Sequence, residues 1–253
     1  MSFPAGARTL QAVLNHGTLR VGVALYAPWA LRGQDGNLRG FEIDVAEKLA
    51  ADMGVKPQIV AYDSKRLIPA LQSGEIDIIA AGMTITPERA LQVNFSQPYE
   101  SGGIALAANL SSTNKAHALE DLNSDQFRFA AVKDSVAEQL ARRVFPNAKL
   151  VTFKTGEAAA GALVAGKVDG YLEEQPAPMF LALEHPGKID VPLARPLLET
   201  RSAFAVGKGD PDFLAFLDAW ITAHEADTWL PSTYHYWFET LSWRNAGEAH
   251  GKG

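Results

Sequence analysis

Apolar and polar residues along the first 80 positions follow the pattern of an α/β protein. Four apolar residues recur at the i, i+4 spacing of an amphipathic helix that ends at Gly54, namely Phe41, Val45, Leu49 and Met53. Short apolar runs on either side of this helix are typical of buried strands. The predicted order is strand 19–25, helix 41–53, strand 55–61, helix 67–73 and strand 76–81.

A short near-repeat relates the two halves of the chain. Leu71-Gln-Ser-Gly-Glu-Ile-Asp-Ile-Ile is similar to Leu163-Val-Ala-Gly-Lys-Val-Asp-Gly-Tyr, and both predict a helix end, a glycine and then a buried strand. Strand-like runs at 19–25 and 127–132 precede the two copies. The alternative is that Gly-x-[Ile/Val]-Asp is a common helix-to-strand connection in any α/β protein. If the repeat is genuine, it indicates two lobes, each with a mostly parallel sheet flanked by helices.

Two apolar segments, 104–108 and 202–206, are predicted to be strands that cross between the lobes. Lobe 1 is then discontinuous and comprises residues 1–106 and 203–253, and lobe 2 comprises 107–202. Ligands of such sheets bind at the carboxyl ends of the strands, so we expect a ligand in the cleft between the lobes. Aromatic residues are frequent from Trp229 to Trp243, where packing of a terminal helix is favoured over a binding surface.

Composition excludes several other classes of protein. The formal net charge of -6 and the 23 scattered Lys and Arg residues do not form a basic stripe for nucleic acid. No run of 18 apolar residues predicts a membrane span. The chain has no cysteine, none of its six histidines lies four residues from another, and no phosphate loop or Gly-x-Ser-x-Gly motif occurs. We therefore expect no metal and no cofactor.

The strongest local signal for binding is Gly82-Met-Thr-Ile-Thr-Pro-Glu-Arg89, directly after a predicted buried strand. Thr86 is a favourable N-cap and Pro87 suits the first helical position, so a helix should begin there. Arg89 then occupies the third helical position, where the helix dipole disfavours a cation. Its guanidinium can hold a carboxylate bidentately, with the Gly82 backbone and Thr84 beside it. A surface or salt-bridged arginine is the alternative.

Three further segments carry candidate residues. Ser135 is a possible N-cap after the strand at 129–132, although Asp134 could cap that helix itself. Glu173 and Glu174 end another strand, and alternation directs only one of them into a cleft, where it would complement an ammonium. Tyr26 and Trp29 follow the first strand and could place aromatic faces on a ligand. Exposed acids and ordinary aromatic packing are the alternatives.

Taken together, these residues resemble the polar amino-acid-binding proteins that deliver ligand to bacterial ABC importers. The resemblance covers roughly 18–238 and rests on Leu19-Arg-Val-Gly-Val, Gly40-Phe-Glu-Ile-Asp-Val-Ala, Leu67-Ile-Pro-Ala-Leu-Gln-Ser-Gly-Glu-Ile-Asp-Ile, Gly82-Met-Thr-Ile-Thr-Pro-Glu-Arg and Asn94-Phe-Ser-Gln-Pro-Tyr in that order. It implies a type II periplasmic-binding-protein-like fold with two hinge strands.

The resemblance also assigns roles to particular residues. It implies that Arg89 grips the ligand α-carboxylate, that Gly82 and Thr84 bond the amino-acid head, and that Tyr26 and Trp29 form an aromatic wall. Ser135 and Val136 stand where the family has Gly-Thr-Thr, and Glu174 stands where an aspartate usually binds the α-ammonium. These two departures leave the ligand open within the class of amino acids and related small zwitterions.

The implied protein is a periplasmic, monomeric solute-binding component that is not an enzyme. Its partners are a small amino-acid-like ligand and a membrane permease, and a signal peptide is expected to be missing from this sequence. The alternative is a cyclohexadienyl dehydratase-like enzyme that acts on prephenate or arogenate. In that case Glu173 or Glu174 would supply the proton.

Overall fold

A computed structural model describes residues 9–33, 35–116 and 118–245 of the 253-residue chain. Backbone contacts divide the chain into two compact units. Unit 1 comprises Met1–Ser101, Arg201–Trp237 and Ser242–Gly253, and unit 2 comprises Gly102–Thr200 and Phe238–Leu241. The lobe boundaries drawn from the sequence, at 106–107 and 202–203, stay a prediction, and both ends of lobe 1 include residues outside the described ranges.

Unit 1 alternates helices and strands as the apolar pattern predicts. Its elements before the first crossing are α1 (Leu10–His16), β1 (Thr18–Ala24), β2 (Leu31–Arg32), β3 (Leu38–Arg39), α2 (Phe41–Asp52), β4 (Lys56–Tyr62), α3 (Ser64–Gln72), β5 (Ile78–Ile79), α4 (Pro87–Ala90) and β6 (Asn94–Phe95). The predicted helix ending at Gly54 is confirmed as α2. The helix predicted from residue 67 begins earlier, at Ser64, and the strand predicted at 76–81 is shorter.

Strand β7 (Glu100–Asn109) leads into unit 2, whose elements follow in the same alternation. They are α5 (Leu110–Thr113), a 3₁₀ turn (Leu119–Leu122), β8 (Arg128–Val132), α6 (Val136–Val144), β9 (Lys149–Phe153), α7 (Gly156–Val164), β10 (Gly170–Glu174), α8 (Ala177–Glu184), β11 (Ile189–Asp190) and β12 (Leu198–Ser202). The chain then returns to unit 1 as β13 (Ala205–Val206), α9 (Pro211–Ala226), α10 (Trp229–Phe238) and α11 (Ser242–Asn245).

The main sheet of each unit has a parallel centre. In unit 1 the strand order is β4-β1-β5-β13-β6, with β4, β1 and β5 parallel. In unit 2 the order is β11-β7-β10-β8-β9, with β10, β8 and β9 parallel and β12 beside β7. The carboxyl ends of parallel strands lie at one edge of a sheet, so the loops that follow them collect there.

The second crossing strand differs from the prediction. The strand that leaves unit 2 is β12, at Leu198–Ser202, whereas Ala205–Val206 belongs to the unit 1 sheet between β5 and β6. The run 202–206 is fully buried, and its apolar sequence for that reason resembles that of a longer strand. The crossing strand itself alternates between half-buried and exposed residues and carries little hydrophobic signal.

The near-repeat is confirmed as a structural repeat within the two units. Helices α3 and α7 both end before a glycine of positive φ, Gly74 at 75° and Gly166 at 70°. Asp77 and Asp169 then each accept a backbone N–H from the first part of a parallel strand, at 2.9 Å from Arg20 and 2.8 Å from Arg128. Each aspartate also pairs with the guanidinium of the same arginine. One local device therefore fixes the strand register twice.

The aromatic segment near the end of the chain packs against unit 1, as favoured from the sequence. Trp237 of α10 is buried, and its indole donates to Asp44 of α2 at 2.6 Å. Helix α9 adds Phe213, Leu217 and Trp220 to the buried residues. Among the residues that the structure describes, no helix has the length and apolarity that a membrane crossing requires.

The Arg20–Asp77 pair gives a stability prediction. Asp77 is fully buried, so Asp77→Ala should lower the free energy of unfolding by about 3 kcal/mol, because the arginine and a backbone N–H lose their acceptor. Glu75→Ala removes an exposed pair with Arg66 in the same unit and should cost less than about 1 kcal/mol. Urea unfolding of both variants tests this, and equal losses would contradict it.

Candidate ligand-binding site

The loop after β5 in unit 1 forms the turn predicted from its sequence. Helix α4 begins at Pro87, and the hydroxyl of Thr86 accepts the Arg89 backbone N–H at 3.3 Å. This confirms Thr86 as the N-cap and places Arg89 at the third helical position. A single capped turn at the carboxyl edge of the sheet therefore carries the arginine.

The Arg89 side chain is half-buried and is held by the loop itself. Its Nη1 donates to the Thr84 carbonyl at 2.7 Å, which fixes one branch of the guanidinium. Arg89 makes no ion pair with any acid in the described part of the chain, so the remaining N–H groups have no protein carboxylate. A partly buried guanidinium in this state is a strong carboxylate binder, because its planar fork matches both carboxylate oxygens.

Thr84 and Gly82 supply the other polar groups of this loop. Neither the backbone N–H nor the hydroxyl of Thr84 has a partner within the described residues. The Gly82 N–H, by contrast, donates to Glu42 at 2.6 Å, and its carbonyl accepts the Ser202 hydroxyl at 3.2 Å. A carbonyl has a second lone pair. Gly82 can therefore offer an acceptor to an ammonium but not the donor that an anion needs.

A buried glutamate network, which the sequence patterns did not predict, lies behind this loop. Glu42 is 0% exposed, and its carboxylate accepts the Tyr99 hydroxyl at 2.8 Å as well as the Gly82 N–H. Burial raises the pKa of Glu42 to about 8, and the charge of Glu100 contributes. Burial and the Glu42 charge also raise the pKa of Tyr99. The motifs that contain both residues were visible, but their contact joins positions far apart in sequence.

Trp29 and Tyr26 form an aromatic pair beside the loop. Their rings stack at 5.4 Å between centroids with 27° between the planes, and Tyr26 is 61% exposed. The Trp29 indole donates to the buried Glu100 at 3.1 Å. It also lies against Gly82, where an added Cβ would stand 2.5 Å from the indole nitrogen. The structure thus brings Tyr26, Trp29 and Gly82 together, while their role in binding stays a prediction.

In unit 2 the candidate residues lie at the start of α6. The Ser135 hydroxyl accepts the Glu138 N–H at 3.1 Å and donates to the Val132 carbonyl at 2.6 Å, so Ser135 is the N-cap. The alternative that Asp134 caps the helix is wrong. Asp134 precedes the N-cap and has a φ of 60°. Its N–H donates to the Glu138 carboxylate, and its side chain does not cap the helix. The backbone N–H groups of Ser135 and Val136 have no partner among the described residues.

The two adjacent glutamates at the end of β10 have different surroundings. Glu173 accepts the Tyr171 hydroxyl at 3.1 Å and the Glu174 N–H at 3.0 Å. Glu174 makes no side-chain hydrogen bond within the described residues. Desolvation of its carboxylate and the charge of Glu173 raise the pKa of Glu174. Of the two carboxylates, only that of Glu174 lacks a hydrogen-bond donor within the described residues, and its role in binding stays a prediction.

Each unit therefore presents a small group of hydrogen-bond donors and acceptors at the carboxyl edge of its parallel strands. Unit 1 offers the Arg89 guanidinium, the Thr84 N–H and hydroxyl, and the Gly82 carbonyl. Unit 2 offers the N–H groups at the start of α6 and the Glu174 carboxylate. Such sets match the two charged ends of a zwitterion. Together with the two α/β units, they are typical of a solute-binding protein of the type II periplasmic fold.

The chain belongs to the bacterial extracellular solute-binding proteins, family 3, whose model matches residues 19–240. A probable amino-acid ABC transporter periplasmic-binding protein (y4tE) of Sinorhizobium fredii is 32% identical over 171 residues, which cover 66% of this chain and 57% of that protein.

Two further comparisons cover nearly the whole chain. A solved structure, the Ancestral Cationic Amino Acid Solute Binding Protein, has a TM-score of 0.78 and 33% identity, covering 90% of this chain and 99% of that one. Cyclohexadienyl dehydratase of Pseudomonas aeruginosa is 25% identical over 252 residues, which cover 99% of this chain and 92% of that protein.

Gly82 gives a prediction with a matched control. Gly82→Ala places a side chain at a φ of 58° and drives it into Trp29, whereas Gly54→Ala meets a similar φ of 70° with no atom within 4 Å. The backbone strain costs each variant about 1–2 kcal/mol of unfolding free energy, and Gly82→Ala should lose more because of the contact. Thermal unfolding measures the difference, and equal losses would refute the close packing.

The Glu42 environment gives a pH prediction. Because folding raises the Glu42 pKa from 4.5 to about 8, the native state holds a proton that the unfolded chain releases between those values. Its contribution to stability is complete below pH 4.5 and is lost as the pH rises through 8. The free energy of unfolding of the wild type should therefore fall over this range relative to Glu42→Gln. The exposed neighbour variant Glu47→Gln is the control and should follow the wild type.

Proposed function

We propose that this protein binds an amino acid or a related small zwitterion for delivery to an ABC importer. Family membership supports the class of function, and the ligand class is supported by the polar groups at the carboxyl edges of the two sheets. The observation that carries the proposal is the Arg89 guanidinium, which its own loop holds at 2.7 Å and which has no ion pair in the described residues. That arginine binds the ligand α-carboxylate, together with the Thr84 N–H and hydroxyl.

The ammonium of the ligand requires acceptors, and two candidates exist. The Gly82 carbonyl is one, since its N–H is committed to Glu42. Glu174 of unit 2 is the other candidate. A cation beside Glu174 would offset the charge of Glu173 and lower the raised pKa of Glu174. Ser135 and Val136 would add backbone N–H groups, and Tyr26 and Trp29 an aromatic face for the apolar part of the ligand.

The partners follow from the family rather than from the site. We infer a periplasmic location and a membrane permease that recognises the closed, ligand-bound form. Binding needs no bond-making step, only a higher affinity of the ligand for the closed state. We also infer that the protein is a monomeric binding component and not an enzyme, since most of its named relatives are binding proteins.

Arg89→Ala tests the proposal. Isothermal titration calorimetry of the wild type across the standard amino acids, opines and small amines should identify at least one ligand. Arg89→Ala should weaken binding of that ligand about 100-fold or more, because hydrogen bonds to charged groups contribute about 1.5–3 kcal/mol each. Arg143→Ala, an exposed arginine of α6, is the matched control and should bind as the wild type does.

Unchanged affinity in Arg89→Ala would overturn the proposed site.

The relative from Pseudomonas aeruginosa, matched over 99% of this chain, favours one second candidate, a dehydratase in which Glu173 or Glu174 donates the proton. Incubation with prephenate distinguishes the two functions. Loss of water and carbon dioxide from prephenate, abolished by Glu174→Gln or Glu173→Gln, would replace binding by catalysis.

A further inference from the structure

The chain re-enters unit 1 at the end of β12, and there it pairs with the loop that carries Arg89. Thr84 and Ser202 lie opposite each other as an antiparallel bridge. Two backbone hydrogen bonds flank this bridge, one on each side. They run from the Ile85 N–H to the Arg201 carbonyl at 2.9 Å and from the Ala203 N–H to the Met83 carbonyl at 3.2 Å. All of these residues belong to unit 1.

The positions of the two flanking bonds determine where the polar groups of the bridge point. Because the bonds join the neighbours of Thr84 and Ser202, these two residues exchange no bond, and their own N–H and carbonyl groups point away from each other's segment. The Ser202 carbonyl accordingly accepts the Tyr99 N–H at 3.1 Å on its outer side. The Thr84 carbonyl accepts the Arg89 guanidinium at 2.7 Å on the opposite outer side.

The same geometry directs the Thr84 N–H towards Arg89. In extended backbone the N–H and the carbonyl of one residue project to the same side of the strand. The Thr84 N–H therefore lies on the side where its carbonyl holds the Arg89 guanidinium, and it has no partner within the described residues. A backbone donor and a guanidinium on one side suit a single carboxylate, which accepts several hydrogen bonds at once.

The Ser202 side chain holds the loop at a further position. Its hydroxyl donates to the Gly82 carbonyl at 3.2 Å, two residues before Thr84. Ser202 is only 4% exposed, so little water reaches the carbonyl to replace this bond. The hydroxyl and the two backbone bonds together fix the loop from Gly82 to Ile85 against one short segment.

We propose that Ser202 is a positioning residue for ligand binding, which holds the loop so that the Thr84 N–H and the Arg89 guanidinium reach one carboxylate. This inference rests on the proposed function, in which Arg89 binds the ligand α-carboxylate. Ser202 acts through the loop, because its hydroxyl and its carbonyl both bond backbone groups of the protein. Removal of the hydroxyl leaves the backbone bonds in place and should loosen the loop without unfolding unit 1.

Ser202→Ala and Ser96→Ala form a matched pair of variants. Ser96 is a second buried serine of unit 1, and its hydroxyl donates to the Gln97 carbonyl at 2.8 Å instead of to the Arg89 loop. Isothermal titration calorimetry of the wild type with the twenty standard L-amino acids selects the tightest one as the probe. Ser202→Ala should bind this amino acid about fivefold more weakly, and Ser96→Ala within about twofold of the wild type.

Amide hydrogen exchange, followed by NMR without any amino acid, reports on the loop directly. The Ile85 N–H is bonded to the Arg201 carbonyl, so its exchange requires the loop to separate from that segment. Exchange of this N–H should become about fivefold faster in Ser202→Ala and stay at the wild-type rate in Ser96→Ala. A purely structural role of Ser202 would lower thermal stability without this difference between the two variants.

The outcomes separate this inference from the proposed function. If the wild type binds an amino acid that Arg89→Ala does not bind, but Ser202→Ala keeps the wild-type affinity, only the role of Ser202 is overturned. Equal weakening in Ser96→Ala would also overturn that role, since the loss would then follow from stability alone. If the wild type binds none of the twenty amino acids, both proposals fail together.

Discussion

The hydrogen bond from the Gly82 N–H to Glu42, at 2.6 Å, ties the binding loop of unit 1 to the first turn of α2. An acid with no solvent contact is costly to ionise, and here it is supported by a tyrosine hydroxyl and one backbone donor. The bond commits the Gly82 N–H, while the Gly82 carbonyl accepts the Ser202 hydroxyl and keeps its second lone pair. It also fixes the position from which the loop segment that carries Thr84 and Arg89 continues. The backbone of the loop is therefore positioned by a residue that has no contact with solvent.

Buried acidic residues also position the strands of the two main sheets. Asp77 and Asp169 each hold the start of a parallel strand through a backbone N–H and an arginine. Fixing the start of a strand fixes its register, and the register decides which residues emerge together at the carboxyl edge. In unit 1 it brings Ala24 of β1 level with Tyr62 of β4. In unit 2 it places the turn before α6 beside the end of β10.

Sequence patterns predicted the features whose causes are local. Thr86 and Pro87 mark a helix start, and Gly74 and Gly166 mark helix ends, because capping depends on a few adjacent residues. Glu42 and Glu100 were not predicted as a network, since their contacts with Gly82 and Trp29 join segments 40 and 71 residues apart. Asp134 was misjudged because a positive φ in a residue other than glycine leaves no clear signal. Strand β12 lacked the apolar run that reveals a buried strand.

The close packing of Trp29 on Gly82 has a consequence for how substitutions could alter the proposed site. Position 82 is doubly restricted, by a φ of 58° and by the indole that fills the space of a Cβ. Position 29 carries no such backbone restriction. A smaller residue there would vacate the volume of an indole while the loop that carries Arg89 stayed in place. Under the proposed function, room for bulkier solutes would therefore be gained at position 29, while Arg89 keeps its place.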